Sequence, residues 1–274
     1  MTFKLPCSWG GILSVDLSKH KESIEYFDKA IELSPTYGDP YFGKAFAFAN
    51  LDNLVEAVKY FDLAIKYKAN NIQGIYYQKG VVLKDLKRYK EALEAFNLAI
   101  KYNPYHFKAL VEKGYILITL DKNREALKTF DKIIKMDPKN FQGYFDMGYI
   151  LSVLGEYQKA ILSYRRAIEL YPNCDKCYGM LAIEYRRLGE YEKANEFINK
   201  AITINPKSAK FFAVKAETLY TQEKLKKALE NINIALGFDP KFYDAFYMKA
   251  LILEKLGRKK EAKKFFNKAK KFKK

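Results

Sequence analysis

Cysteine, histidine and tryptophan are scarce in this 274-residue sequence, which contains three cysteines, two histidines and one tryptophan. So few cysteines cannot form the disulfide framework of a small secreted domain, and they are typical of a reducing compartment. We therefore expect a cytoplasmic protein. The sequence also has no Gly-rich phosphate loop and no serine or cysteine nucleophile motif. These absences argue against an enzyme and give no indication of a cofactor.

Long apolar runs are missing as well. A transmembrane helix needs about 18 or more consecutive apolar residues, and no stretch of the sequence approaches that length. The uncharged segment from Leu5 to Val15 is interrupted by Pro6, Gly10 and Gly11. For this reason we favour a degenerate repeat helix here over a signal peptide or an anchor, and we expect no membrane partner.

Apolar and aromatic residues, in contrast, are abundant, at 49% and 16% of the chain. This composition is the opposite of that of a disordered chain and provides ample material for a packed core.

Proline recurs with a fixed period. Six prolines end similar apolar segments, and the last four intervals between them are each 34 residues. In a seventh copy of the segment, Ala69 replaces the proline, and one residue is inserted near Asn70–Ile72. A period of this length is the signature of a repeat architecture. The six prolines are Pro35, Pro104, Pro138, Pro172, Pro206 and Pro240.

Within each unit the apolar residues follow helical spacing, in two stripes separated by a polar turn. Each unit is therefore predicted to be a helical hairpin, with proline stopping the second helix. One hairpin cannot bury its apolar face alone, so the units must stack. In the unit that begins at Phe107 the two stripes are Leu110, Gly114 and Leu117, then Ala126, Phe130 and Ile133.

The pattern of small, aromatic and proline positions resembles the tetratricopeptide repeat, and it covers nearly the whole chain. The resemblance implies an all-α solenoid, a right-handed superhelix of about eight 34-residue helix-turn-helix repeats. First helices would line its concave face. The matching residues of one unit are Leu151, Gly155, Tyr157, Ala160, Tyr164, Ala167 and Pro172. The repeats of the single array 1–274 are predicted at approximately 4–37, 38–72, 73–106, 107–140, 141–174, 175–208, 209–242 and 243–274.

The first predicted repeat departs from the pattern, because its first helix would contain Pro6, Trp9, Gly10 and Gly11. Terminal repeats are often atypical because they cap the stack. The alternative is an N-terminal contact site or anchor, and self-association through this repeat is our prediction if the protein forms oligomers.

A second stripe on each first helix, turned by about 100° from the packing stripe, should face the concave surface. It is mostly apolar, and continuous exposed apolar surface usually marks a recognition site. The stripe predicts a groove for a peptide with large apolar side chains, unless superhelical curvature buries the rings. The candidate groove residues are Phe42, Phe46, Tyr77, Val81, Val111, Tyr115, Phe145 and Tyr149.

Some members of the family that this chain resembles hold a partner's terminal carboxylates with lysine and asparagine at these same positions. The matching positions here are aromatic or valine in all four units that carry the candidate groove. The resemblance therefore does not imply that mode of binding for this chain.

Positive charge is concentrated at the C-terminal end. Lysine and arginine exceed aspartate and glutamate by 49 to 32 over the whole chain, and the last repeat is the most basic. This end is either a solubilising cap or a site for nucleic acid or an acidic partner. Nucleic acid would be bound weakly and without sequence selectivity. The basic residues are Arg258, Lys259, Lys260, Lys263, Lys264, Lys268, Lys270 and Lys271.

Cys174 and Cys177 have the two-residue spacing of half a zinc site. The other candidate ligands, Cys7, His20 and His106, lie in distant repeats. A structural or incidental pair is therefore favoured over a metal or redox site. Taken together, the sequence predicts a scaffold or adaptor that binds a protein or peptide, with a nucleic-acid-associated protein as the alternative.

Overall fold

A computed structural model describes residues 17–272, which fold into fifteen α-helices joined by short turns, with no strand in that range. The predicted all-α helical repeat solenoid is confirmed. The first helices of the hairpins are α2 (Gly38–Asn50), α4 (Ile72–Asp85), α6 (Phe107–Thr119), α8 (Phe141–Val153), α10 (Asp175–Arg187), α12 (Ala209–Thr221) and α14 (Tyr243–Lys255). The second helices are α1 (Leu17–Leu33), α3 (Leu54–Lys66), α5 (Tyr89–Tyr102), α7 (Asn123–Met136), α9 (Tyr157–Leu170), α11 (Tyr191–Ile204), α13 (Leu225–Phe238) and α15 (Lys259–Phe272).

Two predictions concern residues outside this range. The degenerate first helix of the repeat at 4–37 and the self-association expected around Met1–Asp16 both lie outside the described residues. Within residues 17–272, every helix is too short or too polar to cross a bilayer.

The chain divides into two compact units, Met1–Thr129 (unit 1) and Phe130–Lys274 (unit 2). Within each unit first helices pack on the second helix of their own hairpin, as α2 does on α3 and α10 on α11, and on that of the preceding hairpin, as α4 does on α3 and α12 on α11. Successive first helices also contact one another, α2 with α4 and α4 with α6 in unit 1. In unit 2 the corresponding contacts join α8 to α10, α10 to α12 and α12 to α14. First helices therefore lie side by side on one face of each unit, which we call the first-helix face.

Small residues allow this close packing of helices. A Cβ added to Gly80 would lie 2.6 Å from the Phe96 ring, and one added to Gly148 would lie 2.7 Å from the Tyr164 ring. Both glycines stand on first helices and both rings on the second helix of the same hairpin. The helices could not remain at this distance with a larger residue in either place.

Hairpin turns end each first helix with one residue at positive φ. Gly155, Gly189 and Gly257 take this conformation at φ 78–79°, which costs glycine little. At the same register Lys87 is held at φ 59°. The next residue, Arg88, donates its backbone N–H to the carbonyl of Leu83. This six-to-one hydrogen bond is that of a Schellman motif, which satisfies a carbonyl at the helix end.

The inserted residue is accommodated in the loop between α3 and α4. Lys68 adopts a positive φ of 54° there, and Ala69, which replaces the proline of other repeats, is buried. The backbone N–H and the side-chain amide of Asn70 donate to the Asp39 carboxylate, at 2.9 and 2.5 Å. These bonds attach the longer loop to the start of α2.

Ion pairs link consecutive hairpins of unit 1 at a repeated register. Lys44 pairs with Asp28, and Lys79 pairs with Asp62. Lys44 is buried and lies 4.4 Å from the centre of the Tyr60 ring, so the ring shares in neutralising the ammonium. Because each pair joins a first helix to the preceding second helix, it fixes the register between hairpins.

Candidate peptide-binding faces

Unit 1 carries six of the eight candidate groove residues on its first-helix face. Early in each helix the ring packs down on an aromatic residue of the second helix: Phe42 lies 6.1 Å from Phe61, and Tyr77 lies 6.1 Å from Phe96. One turn later, Tyr115 exposes 38% of its surface. The remaining three, Phe46, Val81 and Val111, are half-buried.

Unit 2 carries the other two candidates, both on α8. Phe145 is half-buried against the ring of Tyr164, with the ring centres 5.7 Å apart. Tyr149, one turn further along, exposes 41% of its surface. In each unit, therefore, the ring at the earlier stripe position of a first helix contacts an aromatic residue of the core. A tyrosine at the later stripe position, Tyr115 in unit 1 and Tyr149 in unit 2, is exposed at the surface.

The aromatic stripe of unit 2 is interrupted after α8. Gly179 stands on α10 at the position that Phe145 holds on α8, and the ring of Phe211 occupies the space, 2.7 Å from where a Cβ would be. On α12 the positions that correspond to Phe145 and Tyr149 hold Ala213, which is buried, and Glu217. The apolar surface is thus not continuous along the first-helix face of unit 2.

A buried polar network lies between α8 and α10 in the same unit. Glu184 is fully buried on α10 and accepts hydrogen bonds from Ser152 Oγ at 2.7 Å and from Arg187 Nη1 at 3.2 Å. Arg187 also donates to Ser152 Oγ at 2.7 Å, and its guanidinium lies 5.2 Å from the centre of the Tyr157 ring. Burial of a carboxylate is costly unless charged and hydrogen-bonding partners of this kind surround it.

Tyr164 lies beside this network with its hydroxyl buried. The hydroxyl has no hydrogen-bond partner among residues 17–272. Burial raises the pKa of Tyr164 strongly, the negative charge of Glu184 raises it further, and the positive charge of Arg187 opposes the shift. The phenol is therefore neutral at physiological pH and has an unused donor and acceptor.

A second charged pair joins α10 to α12. Arg186 Nη2 lies 2.9 Å from Glu217 Oε2, and both side chains are partly exposed. Burial raises the pKa of Glu217, although the nearby charge of Arg186 lowers it and that of Asp244 raises it. Arg186 Nε is buried without a partner in the described part of the chain. This face of unit 2 thus changes from aromatic on α8 to charged on α10 and α12.

The register of the repeats would have revealed the buried glutamate. Glu184 occupies a first-helix position that holds Ala47, Val82, Ile150 and Ile252 in other repeats, all of them buried. Only Thr218 of the following repeat is also polar at this position, so a charged residue there signals a polar network in the core. Its partner Arg187 stands three residues later on the same helix, whereas Ser152 comes from α8, so the identity of the second partner depends on the packing.

The predicted basic end lies on α15 and the turn before it, and all of its side chains are exposed. Arg258 forms a two-bond ion pair with Glu261, with both distances 2.7 Å. Lys268 lies over the rings of Phe246 and Phe265, at 5.8 and 5.3 Å. The other lysines project from the surface around the buried Ala262 and Ala269 of the same helix.

Cys174 and Cys177 form a disulfide bond. This bond is at odds with the reducing compartment inferred from the low cysteine count. Low abundance excludes a framework of several disulfides but not one bond between neighbours in a helical turn, where the two Cα atoms lie 5.2 Å apart. No group of three or more metal-ligating side chains occurs among residues 17–272.

Family models described as tetratricopeptide repeat match six segments that together span most of the chain. One model matches residues 75–106 and 141–174. A second matches residues 11–37, 107–140, 175–208 and 243–274. In the search of curated proteins, no sequence matches significantly.

Solved structures of tetratricopeptide repeat proteins share the fold. A protein from Parabacteroides merdae is 18% identical with a TM-score of 0.74, over 92% of this chain and 93% of that one. YrrB, described as a TPR protein with an unusual peptide-binding site, is 24% identical with a TM-score of 0.62, over 70% of this chain and 98% of its own. A thermophilic TPR protein of Thermus thermophilus is 23% identical with a TM-score of 0.55, over 66% of this chain and 98% of its own.

Proposed function

The chain belongs to the tetratricopeptide repeat family, whose members act as protein–protein interaction scaffolds, and from this premise we propose that it binds a peptide segment of a partner protein on its first-helix faces. The observation that carries the proposal is the outward presentation of Tyr115 in unit 1 and Tyr149 in unit 2 beside half-buried rings of the same stripe. A tyrosine offers a large, rigid contact area together with a hydroxyl.

Binding on this face is also consistent with the energetics of exposed aromatic residues. Rings that already rest on the core lose little conformational freedom when a ligand covers them, so most of the buried area contributes to affinity. YrrB, which shares the fold, is described as having a peptide-binding site. A large apolar or aromatic side chain of the partner is the group that Phe145 and Tyr149 would accept.

The experiment uses a random peptide library displayed on phage and selected on the whole chain, followed by titration of a selected peptide. We expect Tyr115→Ser or Tyr149→Ser to weaken binding at least tenfold, because truncation of a tyrosine hot spot costs more than about 1.4 kcal/mol. Tyr105→Ser is the matched control, since Tyr105 lies in the loop before α6 and is 76% exposed. It should leave both affinity and Tm unchanged.

Two results would overturn the proposal. If Tyr115→Ser and Tyr149→Ser both lower stability by several kcal/mol, the rings belong to the core and not to a binding surface. If both variants fold as the wild type does and bind the selected peptide equally well, the peptide binds elsewhere.

A second candidate function rests on the exposed lysines of α15. Helix α15 contains seven lysines and one glutamate, and each of these side chains is exposed. Such a surface would attract nucleic acid or an acidic protein by charge alone. On duplex DNA, each phosphate contact should then add about −0.9 to the slope of log affinity plotted against log salt concentration. We expect weak binding that is lost on neutral substitution of Lys263, Lys264, Lys270 and Lys271. Sequence-selective binding tighter than about 1 μM at ~150 mM salt would make nucleic acid the primary ligand.

A further inference from the structure

The Cys174–Cys177 bond closes the first turn of α10. Cys174 is the N-cap residue of this helix, and its Sγ accepts a hydrogen bond from the backbone N–H of Cys177 at 3.2 Å. Other first helices are capped at the same register by Asn71, His106 and Asn140, each accepting from a backbone N–H three residues later. In this repeat, sulfur has replaced the usual oxygen or nitrogen acceptor, and a covalent bond has been added to the cap.

Both cysteines are buried in an apolar cluster that reaches the first-helix face. Cys174 is 6% exposed and Cys177 is fully buried, together with Ala167 of α9. Phe145 packs directly against this cluster, and it is also the ring that lies on Tyr164. The disulfide therefore belongs to the buried cluster on which one of the candidate peptide-binding residues of unit 2 packs.

We propose that the Cys174–Cys177 bond is a thiol–disulfide switch that couples the redox state of the chain to the packing of Phe145. The reductant is a dithiol, either a small molecule or a dithiol protein. Its thiolate attacks Cys174 Sγ, the bond to Cys177 Sγ breaks, and Cys177 leaves as a thiolate that takes up a proton. The second thiol of the reductant then displaces Cys174 and closes a disulfide in the reductant, so that two electrons and two protons pass to the protein.

Cys174 is the sulfur that is attacked because it follows the exposed residues Pro172 and Asn173, whereas Cys177 is fully enclosed. Opening of the first turn of α10 admits the reductant, since helix ends open more readily than helix centres. Oxidation by a disulfide of the same class reverses each step.

Reduction must change the packing around the pair. Reduction replaces one S–S bond with two S–H groups, which add two hydrogen atoms to a cluster that is already closely packed. The neighbours that can yield are the first turn of α10 and the rings that pack on it, Phe145 among them. We expect reduction to lower Tm by roughly 4–8 °C, as the loss of a short-loop disulfide implies for a chain of this size.

The test compares the whole chain before and after treatment with dithiothreitol, with free thiols counted by alkylation and mass spectrometry. The proposal predicts one free thiol, that of Cys7, before treatment and three after it, with the fall in Tm given above. A variant with Cys174→Ser and Cys177→Ala should show no response to the reductant. Serine suits the N-cap position here, because its hydroxyl oxygen can accept the hydrogen bond from the backbone N–H of residue 177. Cys7→Ala should respond as the wild type does.

Fluorine NMR of 4-fluorophenylalanine placed at position 145 reports on the coupling without any peptide. The proposal requires this resonance to shift on reduction in the wild-type background and to remain constant in the variant lacking both cysteines. Three free thiols in protein isolated and oxidised without reductant, an unchanged Tm or an unchanged resonance would each overturn it. An effect of reduction on peptide affinity would rest on the proposed function. If no peptide binds while Tm and the resonance respond, the switch stands and the peptide-binding proposal fails.

Discussion

Removal of the Tyr164 hydroxyl should stabilise the protein. The ring is fully buried, and its hydroxyl has no hydrogen-bond partner in the described range 17–272. A buried hydroxyl without a partner costs about 1–3 kcal/mol. Phe61 and Phe96 occupy the same register in unit 1 and are fully buried without a hydroxyl, so phenylalanine fits this site. We expect Tyr164→Phe to raise the free energy of unfolding by about 1 kcal/mol or more.

Tyr185 provides a matched comparison of opposite sign. It is also buried, but its hydroxyl accepts a hydrogen bond from Arg165 Nη2 at 2.7 Å. Tyr185→Phe removes the same atom and breaks a charge-assisted hydrogen bond, which should cost about 1.5–3 kcal/mol. Differential scanning calorimetry should then show a higher Tm for Tyr164→Phe and a lower Tm for Tyr185→Phe, with about 2–4 °C for each kcal/mol.

The sign of the change in Tm for Tyr164→Phe tests whether the Tyr164 hydroxyl lacks a hydrogen-bond partner. A Tm for Tyr164→Phe that falls as far as that of Tyr185→Phe would show that the Tyr164 hydroxyl has a partner in solution, and the inference from its burial would be refuted. Urea unfolding of the same two variants is a control for aggregation during heating. The urea concentration at the midpoint should change, while the dependence of the unfolding free energy on urea concentration should stay the same.

Three further predictions follow from individual positions. Gly80→Ala should destabilise the protein by about 1–3 kcal/mol through overpacking against Phe96, and a thermal melt that matches the wild type would contradict this. Gly237→Ala in the last turn of α13 should stabilise the protein by about 0.4–1 kcal/mol, because a Cβ there meets no atom of the described residues within 4 Å; a lower denaturation midpoint would be inconsistent. Because burial raises the pKa of Glu217 above its ordinary 4.5, its native carboxyl binds a proton more tightly than the unfolded one. Its contribution to stability is therefore largest at low pH and is lost as the pH rises from 4.5 through the native pKa. Melts of wild type and Glu217→Gln between about pH 4 and 7 should differ in slope, and parallel curves would refute the assignment.

The repeat period and the register of small and apolar residues determined the fold. Leu110, Leu117, Phe130 and Ile133 were predicted as packing stripes from their spacing, and all four are buried. Such a prediction succeeds because helical periodicity places these residues on one side of a helix whatever the neighbouring hairpins do. Hairpins that repeat the same pattern then have one way to stack.

The first-helix faces depended on contacts that spacing cannot supply. Tyr149 is exposed whereas Phe145, one turn earlier on the same stripe, is half-buried against Tyr164. Gly179 left a space that Phe211 fills from the next repeat. In each case the outcome rests on a side chain from another helix, and no single helix contains that information.

The chemistry of the interior was decided by tertiary structure in the same way. Glu184 could be read from the sequence as a charged exception in a mostly apolar register, with Arg187 three residues later on the same helix, but its hydrogen bond from Ser152 required the packing of α8 against α10. The Cys174–Cys177 bond required the first turn of α10 to bring the two cysteines together in an apolar cluster. Sequence spacing determines which side of a helix a residue occupies, whereas burial, ion pairing and disulfide formation depend on the distance to groups that only the folded chain brings close.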